Sequence, residues 1–125
     1  MPRRLLVVED DEKSRRLLRD VLGWHGYEVE AAQNGREALE LARRRVPDAA
    51  LLDIQLPDFT GFELLAALRE DGPGRRYPVV AVTASVMDGD RRRILAAGFD
   101  AYVGKPVNIS QLVDTLHSLL AQVPT

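Results

Sequence analysis

The stretch AALLDIQLP, residues 49–57, decides the fold, because an uninterrupted apolar run in it stops at an acid, Asp53. A short continuous apolar run is typical of a strand buried on both faces of a parallel sheet. Three more runs stop in this way: residues 5–8 before Glu9 and Asp10, residues 79–82 before Thr83, and residues 101–104 before Lys105. Open α/β sheets bind ligands at the edge where their strands end. The sequence therefore predicts carboxylates, a hydroxyl and an ammonium at one edge.

Helical patterns alternate with these runs along the chain. Apolar residues recur at helical spacing within five segments: residues 17–22, 38–42, 62–68, 94–97 and 112–120. Residues 27–32 supply a further strand, Asn34 with Glu37 is typical of a capping box, and Asp88 and Asn108 are candidate caps. The alternation predicts a doubly wound α/β sandwich of three layers, with a five-stranded parallel sheet in the flavodoxin-like order 2-1-3-4-5.

Length, charge and cysteine content limit the class of protein. A chain of 125 residues has the usual size of one domain, so we expect one domain over residues 1–125 and no output domain. The net charge of -2 gives no electrostatic basis for binding nucleic acid or a membrane surface. The absence of cysteine suits a reducing compartment, and the first apolar run is too short for a signal peptide. We expect a cytoplasmic protein.

The carboxylates predicted at the sheet edge would repel one another unless a positive charge lies among them. Oxygen ligands without histidine or cysteine suit Mg²⁺, which binds one or two carboxylates and completes its shell with water and phosphate oxygens. Lys105 offers a charge for a phosphoryl oxygen, Thr83 offers a hydroxyl donor, and a carboxylate can be the nucleophile. The strand ends therefore predict a magnesium site for phosphoryl transfer.

Four motifs together resemble one family over the whole chain. They are LLVVEDD at residues 5–11, LLDIQLPDFTGFELL at 51–65, VVAVTAS at 79–85 and AYVGKP at 101–106. In this order and spacing they are similar to the receiver domain of two-component response regulators, including the single-domain bacterial chemotaxis regulator. The resemblance implies a phosphorelay signalling domain that promotes only its own phosphorylation and dephosphorylation.

The resemblance also implies roles for individual residues. Asp53 would accept a phosphoryl group from a histidine kinase or a histidine phosphotransfer protein. Asp10 and Asp53 would bind Mg²⁺ through their carboxylates and Gln55 through its main-chain carbonyl, with Glu9 completing the acidic pair.

A conformational switch follows from the same resemblance. Thr83 and Lys105 would contact the phosphoryl group, whose charge of roughly -2 attracts new donors. As Thr83 moves, Tyr102 at the aromatic switch position would rotate inward. The surface formed by the fourth helix, the fifth strand and the fifth helix would then bind a downstream protein, with the chain a monomer or a phosphorylation-dependent dimer.

Some residues have plainer interpretations. Asp11 favours the N-terminus of the first helix through the helix dipole. Arginines 91–93 are placed at the start of the fourth helix, an unfavourable end for cations. They are either solvated there or, at the border of the output surface, dock an acidic partner. Gln55 and Ser85 occupy positions that tune dephosphorylation in the family.

Alternative functions remain at this point. A pseudo-receiver would bind partners without phosphorylation, and a receiver fragment of a hybrid kinase would have the same sequence pattern. A hydrolase of the haloacid dehalogenase type needs Asp-x-Asp after a strand, but Gln55 stands at the second acid. A flavodoxin-like cofactor binder needs a phosphate loop after the first strand, where the acids at residues 9–11 would repel phosphate.

Overall fold

Five strands alternate with five helices in the computed structural model, which describes residues 2–71, 77–84 and 88–122. The strands are β1 (Arg4–Val8), β2 (Glu28–Ala32), β3 (Ala49–Asp53), β4 (Val79–Thr83) and β5 (Ala101–Gly104). The helices are α1 (Glu12–Trp24), α2 (Gly35–Arg44), α3 (Gly61–Asp71), α4 (Asp88–Ala96) and α5 (Ile109–Ala121). Within these described ranges, no helix is long and apolar enough to span a membrane.

The strands form one parallel sheet in the order β2-β1-β3-β4-β5, which confirms the predicted topology. Every residue of the three central strands β1, β3 and β4 is buried, which explains their uninterrupted apolar runs. Asp53 pairs with Val82 and Thr83 pairs with Gly104. The strand ends are therefore in register, and their polar residues lie side by side.

Two apolar clusters cover the two faces of the sheet. Alternate strand residues such as Leu6 and Leu52 pack with residues of α2, α3 and α4. Their neighbours Leu5 and Leu51 pack with residues of α1 and α5. This division follows from the alternation of side chains along a strand, and it confirms the predicted sandwich of three layers.

Hydrogen bonds at the helix starts explain where the helices begin. Asp11, Asn34 and Asn108 accept hydrogen bonds from backbone N–H groups of the first turns of α1, α2 and α5. A reciprocal capping box starts α3, where the Thr60 N–H donates to Glu63 and the Glu63 N–H donates to the Thr60 hydroxyl. The two predicted asparagine caps are confirmed, whereas the box at α3 is an addition.

The position of the arginine cluster in α4 corrects one prediction. The helix begins at Asp88, so Arg91 follows three helical residues and Arg93 lies in the last turn. The prediction that the three arginines begin the helix was wrong, because the helix already starts at Asp88, the residue predicted as its cap. The capping role predicted for the side chain of Asp88 and the position of Ser85 fall outside the described part of the chain.

Candidate functional site

Four strand ends bring the site together at one edge of the sheet. Asp53 closes β3 and Thr83 closes β4, while Glu9 and Lys105 directly follow β1 and β5. Relative exposure is 3% for Glu9, 5% for Asp53 and 7% for Thr83, so these polar residues are as buried as the core. Buried polar groups are costly unless they have partners, so the contacts among them determine the chemistry of the site.

Lys105 supplies the positive charge of the site. Its Nζ donates to Oδ2 of Asp53 over 2.8 Å and lies 3.0 Å from Oε1 of Glu9. Burial favours the neutral amine, but the hydrogen bonds and charges of the two carboxylates outweigh it and raise the pKa of Lys105. The lysine therefore stays charged and compensates two buried acids at once.

Glu9 has the most perturbed environment of the described acids. Burial and, after it, the neighbouring Asp53 raise the pKa of Glu9 to about 7, against the lowering effect of Lys105. Its Oε2 atom is buried and has no hydrogen-bond partner in the described structure. A buried oxygen in this state favours a proton or a cation beside it.

The acidic cluster fits a magnesium ion. One carboxylate oxygen each from Glu9, Asp10 and Asp53 lies within 4.8 Å of the other two. The cluster offers only hard oxygen ligands, the type that Mg²⁺ prefers, and the unpartnered Oε2 of Glu9 leaves negative charge to be neutralised. Asp10 is exposed, so the cluster is also open to solvent, from which an ion can enter with part of its hydration shell.

A cavity of about 530 Å³ opens above Asp53 and is lined by Asp10, Gln55, Thr83 and Lys105 among others. The backbone N–H of Gln55 donates to Oδ1 of Asp53 over 2.9 Å. Both oxygens of Asp53 therefore have donors, Gln55 on one and Lys105 on the other, which fixes the plane of the carboxylate.

Tyr102 lies on β5 and is half-buried against the cluster on the α3 and α4 side. The guanidinium of Arg91 lies 5.4 Å from the centre of its ring, in the range of a cation–π contact. The predicted switch residue thus contacts α4 directly. A second arginine of this helix, Arg93, lies 4.5 Å from the ring centre of Phe62 on α3, and both of these residues line the cavity.

Two contacts of the loops around the site were not found from the sequence. Arg15, on α1, donates through Nη1 to the carbonyl oxygens of Glu9 and Asp10 over 3.0 and 3.3 Å, so it holds the loop that carries both acids. Asp58 accepts hydrogen bonds from the start of α2. Neither contact follows a helical or strand spacing, and the partners of Asp58 lie 22 and 23 positions away in the chain.

Comparisons with known proteins agree with this geometry. Residues 5–117 match the family described as the response regulator receiver domain. The polar-differentiation response regulator DivK of Brucella anthropi is 43% identical over 120 residues, which cover 96% of this chain and 98% of the relative. DivK of Brucella ovis is 42% identical over the same shares of the two chains.

Solved structures agree as well. The chemotaxis protein CheY4 of Vibrio cholerae superposes with a TM-score of 0.89 at 30% identity, covering 95% of this chain and 99% of the other. A CheY-like receiver domain from Methanospirillum hungatei has a TM-score of 0.88 at 34% identity, with 98% and 96% covered. The chain belongs to the response regulator receiver domain family of two-component systems.

Proposed function

We propose that Asp53 is the phosphoryl acceptor of this receiver domain and that Mg²⁺ binds to Asp10, Asp53 and the main-chain carbonyl of Gln55. The phosphoryl donor is a histidine kinase or a histidine phosphotransfer protein. One observation carries the proposal: Asp53 is a buried carboxylate that faces an open cavity and is held by Lys105 on one oxygen and Gln55 on the other.

The transfer step needs little from the protein beyond positioning. A carboxylate oxygen of Asp53 forms a bond to phosphorus while the bond from phosphorus to the donor nitrogen breaks, and the imidazole leaves with that electron pair. The hydrogen bonds from Gln55 and Lys105 hold the carboxylate without using all of its lone pairs. Because the nucleophile is a carboxylate, no general base is required.

Charge neutralisation is shared among the strand ends. When bound, Mg²⁺ would neutralise the carboxylates and the oxygens of the transferred group. Lys105 moves its hydrogen bond from Asp53 to a phosphoryl oxygen, and the Thr83 hydroxyl donates to another. Glu9 keeps its ion pair with Lys105, which holds the ammonium at the edge of the site.

The signal leaves through the face formed by α4, β5 and α5, with Tyr102 as its switch. Since Arg91 of α4 lies over the Tyr102 ring, a rotation of this ring changes a contact of α4 itself. A downstream protein that reads this face would distinguish the two states. We propose a single receiver domain over residues 1–125 that acts as a monomer or as a phosphorylation-dependent dimer.

Intact mass measurement tests the proposal. The chain is incubated with an acyl phosphate and Mg²⁺, and we expect a phospho adduct on the wild type and on Asp11→Asn, but none on Asp53→Asn. An adduct that persists in Asp53→Asn would overturn the assignment of the acceptor. A wild type that binds its partners but forms no adduct with any donor would be a pseudo-receiver.

A further inference from the structure

The loop between β3 and α3, residues 54–60, is closed tightly at its base. The Gly61 N–H donates to the Ile54 carbonyl over 2.8 Å, and Gln55 forms an antiparallel bridge with Thr60. A Cβ atom at Gly61 would lie 2.8 Å from the Asp53 carbonyl oxygen, so only glycine permits this approach. The loop that carries Gln55 is therefore a compact turn whose tip projects away from β3.

The tip of the loop is attached to α2 by Asp58. Its Oδ1 accepts from the Gly35 N–H over 2.8 Å, and its Oδ2 accepts from the Arg36 N–H over 3.0 Å. Oδ1 also accepts from the Phe59 N–H over 2.9 Å. An exposed carboxylate thus binds the first two N–H groups of a helix that it does not belong to.

Phe59 adds a packing contact to this attachment. A Cβ atom built on Gly35 would lie 2.1 Å from Cδ2 of Phe59, so the ring rests directly on the backbone of α2. The helix has its own cap in Asn34, whose Oδ1 accepts from the Glu37 N–H over 2.8 Å. Asp58 and Asn34 therefore serve different N–H groups, and of these two acceptors Asp58 is the one that connects α2 with the loop.

We propose that Asp58 is a positioning residue for the magnesium site, because its attachment of the loop tip to α2 fixes the direction of the Gln55 carbonyl. The inference rests on the proposed function, in which that carbonyl binds Mg²⁺. A main-chain carbonyl has no side-chain torsion with which to adjust, so only the backbone around it sets its direction. Mg²⁺ requires a nearly ideal octahedral shell, so a small rotation of the loop lowers its affinity.

A pair of matched variants tests the inference. Asp58→Ala and Asn34→Ala each remove an acceptor from the start of α2, and both should lower the melting temperature. We expect the dissociation constant for Mg²⁺, measured by calorimetry, to rise about tenfold in Asp58→Ala and to stay within about twofold in Asn34→Ala. Adduct formation with an acyl phosphate should slow in Asp58→Ala at low Mg²⁺ and recover in excess Mg²⁺.

A second variant disturbs the same contact with Asp58 intact. In Gly35→Ala the new methyl group displaces the Phe59 ring, so the constant for Mg²⁺ should rise here as well, although alanine is the better helix former. An unchanged dissociation constant for Mg²⁺ in Asp58→Ala and Gly35→Ala, or an equal rise of this constant in Asn34→Ala, would overturn the positioning role of Asp58. The proposed magnesium site would be unaffected by that result. A wild type that binds no Mg²⁺ would overturn the proposed function and the inference with it.

Discussion

The Nζ atom of Lys105 lies 2.8 Å from Oδ2 of Asp53, although β4 separates the strands that carry the two residues. The side chain of Lys105 therefore crosses the end of β4, where Thr83 lies. It also forms an ion pair with Glu9, the residue that follows β1. One ammonium thus spans the site from β5 to β1. It neutralises part of the acidic cluster formed by Glu9, Asp10 and Asp53.

Removal of this ammonium should destabilise the chain strongly. Lys105→Met leaves Glu9 and Asp53 buried without their cation, and we expect a loss of about 3 kcal/mol of unfolding free energy. Urea denaturation in the absence of Mg²⁺ measures it. The control is Lys13→Met, which replaces an exposed lysine of α1 and should stay within about 0.5 kcal/mol of the wild type. Equal stability of the two variants would contradict the compensating role of Lys105.

The raised pKa of Glu9 predicts a pH dependence. Because this pKa is about 7 in the folded chain and 4.5 ordinarily, the folded state holds the proton longer than the unfolded state. Its contribution to stability is complete below about pH 4.5 and is lost as the pH rises through 7. Without Mg²⁺, the unfolding free energy should therefore fall between about pH 5 and 8, by up to about 3 kcal/mol.

Glu9→Gln is the control for this pH dependence, because it removes the titrating group and should flatten the profile. Hydrogen bonds from backbone N–H groups lower the pKa values of Asp11 and Asp58, so these two residues change the unfolding free energy only at lower pH. A wild-type stability that rises over this range and is unaffected by Glu9→Gln would count against the assignment.

Mg²⁺ should stabilise the folded chain by linkage. At ten times the dissociation constant the gain is about 1.4 kcal/mol, or roughly 5 °C in melting temperature. Asp10→Asn should reduce this gain and raise the melting temperature of the metal-free form, because one of three clustered carboxylates is removed. Asp11→Asn is the matched control, since asparagine caps α1 as well as aspartate does and the gain should persist. Equal responses of the two variants would show that the acids do not share an ion.

The sheet edge could be predicted from the sequence because a polar residue marks the point where an apolar strand ends. Asp53, Thr83 and Lys105 each follow a continuous apolar run, and a parallel sheet places such ends together whatever the rest of the chain does. The parallel order then made Glu9 and Asp53 neighbours, as the structure has them.

Contacts between elements that are distant in the chain could not be predicted from the sequence. Asp58 accepts hydrogen bonds from the N–H groups of residues 23 and 22 positions earlier. No local sequence pattern indicates that an exposed acid will bind the start of a helix other than its own. The capping box of Thr60 and Glu63, in contrast, could have been predicted, because Thr-x-x-Glu before an apolar run is a known sequence signal. The position of arginines 91–93 within α4 was predicted wrongly, because the first turn of this helix holds no apolar residue to set the helical phase.

The arginines of α4 should differ in their effect on stability, because they differ in their contacts. Arg92 and Arg93 are both exposed, but the guanidinium of Arg93 lies 4.5 Å from the ring centre of Phe62. We expect Arg93→Ala to cost about 1 kcal/mol of unfolding free energy in urea, and Arg92→Ala to stay within about 0.5 kcal/mol.

Arg92→Glu is the clean test of docking to an acidic partner, since Arg91→Glu would also remove the cation over Tyr102. A salt-dependent loss of partner affinity in Arg92→Glu is expected, and unchanged affinity would refute this docking.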